Sequence, residues 1–217
     1  MPSPSLAKFA YHTLQQGKSL AGLAHKGISS RIMELVLKDG STKEFPLKGQ
    51  LFDNLRNSMS QLQQQDWKDA ENGIYPKSQL FEAPWLEWAS KYPLLWLDMP
   101  NTWIRRKKNK TRDIPSTIDK KQYPDYYLQN FHHQTDGYLS DHSASLYDIQ
   151  VEILFNGTAD SMRRRILYPL KKSLAEFKNK KPSDIRILDV ATGTGRTLQQ
   201  IRGALPKVEL YGIDLSG

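Results

Sequence analysis

The chain has 217 residues, and its 31 lysines and arginines against 23 aspartates and glutamates give a formal net charge of +8. Apolar residues make up 38% and charged residues 25%, a balance typical of a soluble globular protein rather than a disordered or membrane-embedded one. The length allows one large domain or two small ones. The absence of cysteine excludes disulfides, cysteine-ligated metals and thiol nucleophiles. We predict a cytoplasmic protein with no secretory signal, and no membrane span, since no stretch approaches the roughly 20 apolar residues required.

The first region, residues 1 to about 75, has apolar residues at helical spacing. A first helix is indicated by Leu6, Phe9, Ala10 and Leu14. Ser29 and Ser30 are candidate caps for a second helix that runs through Leu37. A third is indicated by Leu51, Leu55, Met59 and Leu62. In residues 32–45, however, the Asp39-Gly40 pair also favours a type I′ β-hairpin, and this alternative stays open.

Between residues 75 and about 127, prolines and tryptophans recur, which disfavours long helices and predicts irregular segments packed on a core. This stretch contains six cations among the eight residues from Arg105 to Arg112. Such a run can contact the phosphates of a nucleic acid. We favour a solvated loop, because no RNA-binding pattern of glycines and aromatic residues accompanies the run.

The pattern changes from about residue 141 onward. Asn156, Thr158 or Asp160 can cap a helix that continues to Phe177, with a kink at Pro169. A β-branched run over residues 185–190 then predicts a buried parallel strand, followed by a turn of small residues, a helix over 196–205 and a second strand over 208–213. The predicted fold class is therefore α/β: a mainly helical and irregular N-terminal region followed by one βαβ unit.

The turn after the first strand of such a unit lies where open α/β sheets bind ligands. Gly193 and Gly195 allow a ligand to approach the backbone and adopt positive φ without steric cost. The helix that starts near Arg196 directs unpaired N–H groups and the positive end of its dipole towards the same space. Asp189 ends the first strand, and Asp214 ends the second, where an acid can accept hydrogen bonds from ribose hydroxyls.

Residues 188–196 (LDVATGTGR) and 211–214 (YGID) resemble the nucleotide-binding motif of class I S-adenosylmethionine-dependent methyltransferases. A dinucleotide-binding fingerprint fits less well, since it requires a third glycine where this chain has Leu198. Ala191 occupies the first of the motif's three small-residue positions. Alanine also occurs at this position in enzymes similar to the ubiquinone and menaquinone C-methyltransferases.

The resemblance extends upstream of the first strand. Residues 146–148 (LYD), Gly157 and residues 162–165 (MRRR) are similar to the tyrosine–aspartate, glycine and basic-helix pattern of the quinone-type methyltransferases. The similarity covers residues 146–217, whereas residues 1–145 match no module of known function. We therefore divide the chain into a helical and irregular region of unknown role, residues 1–145, and the start of a methyltransferase domain, residues 146–217.

The resemblance implies S-adenosyl-L-methionine as cofactor and a role for each matching residue. Asp189 would orient the methionine end near its ammonium, Ala191, Gly193 and Gly195 would let the backbone approach, the helix end would receive the carboxylate, and Asp214 would bind the ribose. Methyl transfer from a sulfonium is an in-line displacement with an activated leaving group, so alignment is the main task of the protein. No dedicated acid or base is required, and no catalytic residue is assigned.

Histidines and aromatic residues cluster between Phe131 and His142. Their spacing matches no metal-ligand motif, so we predict no metal site. His132, His133 and Tyr147 are the candidate substrate contacts, since the neighbouring tyrosines can line a pocket for a flat ring. Aromatic core packing is the alternative explanation.

A class I methyltransferase sheet needs more strands than the two that this sequence supplies. The resemblance therefore predicts that the chain is the N-terminal fragment of the enzyme and is inactive alone, because the segments that hold the adenine and most of the substrate would follow it. The expected function is S-adenosylmethionine-dependent methylation of a small molecule. Two alternatives stay open: an RNA-directed methyltransferase or basic nucleic-acid-binding protein, and a non-catalytic interaction module whose first 145 residues dock a partner.

Overall fold

A computed structural model describes residues 4–37, 49–131, 134–177 and 179–216. Over these ranges the chain is mainly helical, with one two-stranded parallel sheet. The elements are α1 (Pro4–Leu37), α2 (Gln50–Glu71), α3 (Trp85–Lys107), α4 (Asp141–Leu154), α5 (Ala159–Arg164), α6 (Leu167–Leu174), β1 (Arg186–Val190), α7 (Arg196–Ala204) and β2 (Glu209–Ile213). Short 3-10 turns lie at Lys77–Leu80, Lys120–Gln122 and Pro182–Asp184. Within the described ranges, no helix has an apolar stretch long enough to cross a membrane.

Helix α1 is continuous over 34 residues. Ser29 and Ser30 lie inside it, so the predicted start of a second helix there is wrong. Residues 32–37 are helical, which excludes a β-strand over them, whereas Asp39-Gly40 lies outside the described residues. The helix continues because one face is buried along its whole length, through Tyr11, Gln15, Gly22, His25 and Met33.

Helix α3 passes through two prolines, Pro93 and Pro100. The irregular structure predicted for residues 75–127 is therefore wrong over 85–107. Trp88, Leu95 and Trp103 lie at helical spacing and are buried, and α3 packs against α1 and α4. Burial of large apolar side chains, at about 1.5–3 kcal/mol each, offsets the roughly 3 kcal/mol that an internal proline costs. Residues 108–119 and 123–127 are irregular, as predicted.

The single helix predicted ahead of β1 is divided into α5 and α6 at Arg165 and Ile166. Pro169 explains this position. Proline lacks the N–H that would bind the carbonyl four residues earlier, and its ring clashes with that carbonyl, which here belongs to Arg165. At the break between the two helices, the N–H groups of Arg165 and Ile166 donate to carbonyls three residues earlier, those of Met162 and Arg163, rather than four residues earlier. The kink predicted from Pro169 is confirmed.

Strands β1 and β2 pair in parallel, from Arg186 opposite Glu209 to Val190 opposite Ile213. Because α7 connects them, the predicted order of strand, turn, helix and strand is confirmed. Ile187 on β1 packs towards the core. The opposite face of the sheet exposes four apolar side chains, Leu188, Val190, Tyr211 and Ile213. Within the described residues the sheet has no third strand.

The main hydrophobic core contains residues from both ends of the chain. Tyr11, Trp67 and Leu80 come from the first third, whereas Leu167 lies on α6 and Ile201 on α7. All five are almost fully buried. The βαβ unit is therefore anchored on α1, α2 and the turn that follows α2.

An ion pair between Asp66 on α2 and Arg164 on α5 lies beside this core, with side chains 0% and 2% exposed. The Arg164 Nε and Nη2 groups donate to the two carboxylate oxygens at 2.8 and 2.6 Å. The hydroxyls of Tyr11 and Tyr75 donate to the same carboxylate, each at 2.6 Å. Burial by itself would lower the pKa of Arg164, but the hydrogen bonds and charge of Asp66 outweigh it and raise that pKa. The hydrogen bonds of the Asp66 carboxylate to Tyr11 and Arg164 therefore connect α2 to α1 and α5.

Candidate functional site

The loop between β1 and α7 is a left-handed turn. Ala191, Gly193 and Gly195 have positive φ values of 63°, 54° and 74°. A Cβ at Gly193 or Gly195 would meet nothing within 4 Å, so the space beside both glycines is open. The N–H groups of Ala191 and Thr192 donate to the carbonyl of Ile213 at 2.8 and 3.1 Å, which attaches the turn to the end of β2.

Asp214 follows β2 directly and is exposed. Its Oδ2 accepts a hydrogen bond from the N–H of Gly193 at 2.7 Å, and its Oδ1 accepts one from the N–H of Ser216 at 2.9 Å. The structure thus places the acid of the second strand directly on the glycine turn, which comprises residues 191–195. A ligand that enters the open space beside Gly193 meets this carboxylate.

Asp189 lies on β1 opposite Gly212, and its Oδ2 accepts a hydrogen bond from the Thr192 hydroxyl at 3.0 Å. A Cβ at Gly212 would lie 2.8 Å from Thr192 Cγ2 and 2.9 Å from Leu198 Cδ1. Only glycine at position 212 therefore lets the turn and α7 pack this closely on β2. The structure brings the five predicted cofactor residues to one end of the sheet: Asp189, Ala191, Gly193, Gly195 and Asp214.

Helix α7 begins at Arg196, and its cap residue Gly195 supplies no side-chain hydrogen bond. Its first-turn N–H groups therefore have no side-chain cap, which suits an anionic ligand group. The Arg196 guanidinium donates to Asp160 at 2.8 Å and to the carbonyl of Glu82 at 3.0 Å. Burial tends to raise the pKa of Asp160, but the hydrogen bonds and charge of Arg196 hold it below its usual value.

Asp148 connects α4 to the glycine turn. Its Oδ2 accepts a hydrogen bond from the Thr194 hydroxyl at 2.7 Å, and its Oδ1 accepts one from Arg163 at 3.0 Å. Arg163 also donates to Asp160 at 3.0 Å. Asp148 belongs to the upstream pattern of the sequence, which does not indicate a role for it. The structure shows that it supports the turn from a position 46 residues away in the chain.

The rest of the upstream pattern holds helices together. Gly157 has a φ of 81°, and a Cβ there would lie 2.4 Å from the Cβ of Lys18 on α1, so α1 passes directly against it. Arg165 forms an ion pair with Asp69, and Arg164 is the buried cation described above. Arg164 and Arg165 of the basic segment therefore form ion pairs that hold α5 and the residue after it against α2.

Of the predicted substrate contacts, His132 and His133 lie outside the described residues. Tyr147 lies on α4 and packs edge-on against Tyr138, with ring centroids 5.4 Å apart. Tyr138 also stacks on Phe131 at 5.8 Å. Burial, reinforced by neighbouring tyrosines, raises the pKa of Tyr138 to about 12. The predicted aromatic group is thus a packed cluster.

A cavity of about 660 Å³ lies between α1, α3 and α4, and Tyr138 and Tyr147 belong to its wall. The Ser216 hydroxyl donates to the carbonyl of Tyr138 at 2.6 Å, and Asp148, the residue after Tyr147, binds the turn. The cavity and the glycine turn are therefore neighbours. The cavity could not be predicted from the sequence, since no local pattern indicates a space between three separate helices.

The cations from Arg105 to Arg112 are divided between two kinds of structure. Residues 105–107 form the last turn of α3, where positive charge is favoured by the helix dipole. Arg105 lies 3.6 Å from Asp113 and donates to the Thr135 hydroxyl at 3.0 Å. The predicted solvated loop is therefore wrong for residues 105–107, and residues 108–112 are exposed. A nucleic-acid partner stays a prediction.

In the part of the chain that the structure describes, no group of three or more histidine, aspartate or glutamate side chains is arranged to hold a metal ion. Comparison with protein-family models, curated proteins and solved structures finds no match to this chain.

Proposed function

We propose that this chain binds S-adenosylmethionine and forms part of an enzyme that transfers the methyl group to a small molecule. The observation that carries the proposal is the left-handed turn at Gly193 and Gly195, with the carboxylate of Asp214 2.7 Å from the N–H of Gly193. A turn of this kind at the carboxyl end of a parallel strand is where α/β sheets bind nucleotides. The proposal includes the finer fold, in which β1, α7 and β2 begin a Rossmann-like class I methyltransferase sheet.

The residues present fit this cofactor. The open space beside Gly193 and Gly195 admits a ligand against the backbone. In the proposed complex Asp189 receives the ammonium, the uncapped start of α7 receives the carboxylate, and Asp214 receives the ribose hydroxyls. The bound cofactor supplies a methyl group on a positively charged sulfur. The task of the chain is to bind and orient it.

The charges of the site agree with a cationic ligand. Neither Asp189 nor Asp214 has an ion-pair partner within the described ranges. Asp148, which also touches the turn, is neutralised by Arg163 at 3.0 Å. Two carboxylates without a cationic partner favour a ligand that carries an ammonium and a sulfonium.

The packing of α7 agrees less well with a dinucleotide. In the dinucleotide-binding motif a third glycine brings the helix close to the strand. Here the equivalent position is Leu198, whose side chain packs on the core. The close approach is made from the other side, because Gly212 on β2 leaves room for Leu198.

Titration of the isotope-labelled chain with S-adenosylmethionine, followed by NMR, tests the proposal. We expect the amide signals of Gly193 and Gly195 to shift. Asp214→Asn keeps an acceptor for the Gly193 N–H but loses charge-assisted bonds to the ribose, each worth about 1.5–3 kcal/mol, so affinity should fall about tenfold or more. Asp184→Asn is the matched control, since Asp184 is exposed and lies at the opposite end of β1. Unmoved glycine signals at millimolar cofactor, or equal losses in both variants, would overturn the proposal.

A further inference from the structure

We propose that the cavity between α1, α3 and α4 binds an apolar small molecule that carries one anionic group, such as an aromatic carboxylate. That this molecule is the methyl acceptor rests on the proposed function. That the cavity binds it rests on the shape, lining and charge of the cavity alone.

The size and wall of the cavity suit such a molecule. Its volume of about 660 Å³ lies within the roughly 300–1,000 Å³ typical of small-molecule sites. Large apolar side chains from α3, from α4 and from the residue that follows α4 make up much of the wall, namely Leu95, Met99, Trp103, Val151, Leu154 and Phe155. When a flat apolar molecule packs against this wall, apolar surface of the molecule and of the wall is removed from water, which favours binding.

Two cations contribute to the same wall, Lys26 on α1 and Arg106 on α3. The Lys26 ammonium donates to the carbonyl of Leu154 at 2.7 Å and to the side-chain oxygen of Asn156 at 2.8 Å. Both oxygens are neutral, and within the described ranges Lys26 has no carboxylate partner. Burial lowers the pKa of Lys26. An anionic ligand group would supply the missing charge.

Arg106 adds a second positive charge, and its guanidinium has no side-chain partner in the described part of the chain. Among the described residues of the wall the one carboxylate is Asp98, which is buried and accepts a hydrogen bond from the Thr135 hydroxyl. The Arg105 guanidinium donates to that same hydroxyl at 3.0 Å. Among the described residues of the wall two cations, Lys26 and Arg106, face this single carboxylate, so the charge balance of the cavity favours an anion.

His25 supplies a neutral polar group in this wall. Its Nδ1 lies 3.1 Å from the Tyr92 hydroxyl, and its ring packs against Trp96 with centroids 4.8 Å apart. Burial, together with the charge of Lys26, lowers the pKa of His25 and favours the uncharged ring. Its Nε2 has no partner among the described residues and can form one hydrogen bond with a polar atom of the ligand.

Calorimetric titration of the chain with 2-naphthoate, in the absence of S-adenosylmethionine, tests the inference. The neutral analogue 2-naphthamide is the control ligand, and we expect it to bind about tenfold more weakly because it lacks charge-assisted bonds. Arg106→Gln and Lys26→Met should each remove most of this preference. Lys108→Gln should leave it unchanged, since Lys108 belongs to the same cationic run but lies outside the cavity wall. Met99→Trp should fill the cavity and abolish binding of both ligands.

Equal affinity for the two ligands, no binding of either, or binding that survives Met99→Trp would each overturn the inference. Because Lys26 also bonds to α4, Lys26→Met can destabilise the fold, and the exposed Arg106 provides the variant that avoids this effect. Naphthoate binding without S-adenosylmethionine binding would refute the proposed function and support the cavity. The reverse result would refute only the cavity.

Discussion

Replacement of Arg164 by methionine tests how strongly the fold depends on its buried ion pair. Methionine is apolar and unbranched, but it leaves the Asp66 carboxylate buried and bonded only to neutral groups, chiefly the hydroxyls of Tyr11 and Tyr75. Removal of one partner from a buried ion pair costs about 3–5 kcal/mol, because the remaining charge is uncompensated. We expect the free energy of unfolding to fall by this amount, a large part of the roughly 5–15 kcal/mol that stabilises a typical domain.

Urea denaturation followed by far-ultraviolet circular dichroism measures this change, since most of the described chain is helical. The matched control is Arg186→Met. Arg186 forms an ion pair with Glu209, but these side chains are 75% and 48% exposed. A surface pair contributes about 0–1 kcal/mol, so the control should lose less than about 1 kcal/mol.

A double variant separates the charge of the pair from the volume of its side chains. Asp66→Leu combined with Arg164→Met removes both charges, so its loss of stability should be smaller than the sum of the two single losses. If Arg164→Met is no more destabilising than Arg186→Met, or if the double variant loses the sum of the two single losses, the fold does not depend on the buried ion pair in this way.

Three further predictions concern the turn and the cavity. Ala191→Gly should raise the free energy of unfolding by about 1 kcal/mol, because a non-glycine residue with left-handed φ costs roughly 1–2 kcal/mol; no gain in urea denaturation would contradict the turn geometry. Gly212→Ala should lower it by roughly 1–3 kcal/mol, as the added Cβ collides with Thr192 and Leu198, and an unchanged midpoint would show that this contact relaxes freely. His25 has a pKa lowered by burial, so as pH falls below about 6.5 the unfolded state binds a proton that the folded state resists, and stability declines. His25→Gln should reduce this decline between about pH 7 and pH 5, and an equal slope in both proteins would refute it.

The order of elements near the end of the chain could be predicted from the sequence. Residues 185–190 and 208–213 show strand patterns, and the small residues between 191 and 195 predicted the turn. Strand, turn and helix starts each depend on a few neighbouring residues, and positive φ has a specific preference for glycine. For the same reason Pro169 predicted the kink between α5 and α6.

Helix boundaries in the first half of the chain could not be predicted in this way. Ser29 and Ser30 have the residue types of a helix cap but lie inside α1, and Pro93 and Pro100 lie inside α3. Local preferences of these residues amount to about 1–3 kcal/mol each. Packing of buried side chains between α1, α3 and α4 exceeds them, and this packing depends on helices that are distant in the sequence.

The residues of the turn and the acids at the ends of β1 and β2 can be identified from the sequence alone, because each belongs to a short local pattern. The residues that support the turn and the cavity beside it follow from the packing of distant segments. Asp66 and Arg164 are 98 residues apart, and Asp148 lies 46 residues from Thr194. The cavity has walls from three helices. Such contacts form only when distant segments pack together, and the free energy of that packing is shared among many side chains rather than contained in any one motif.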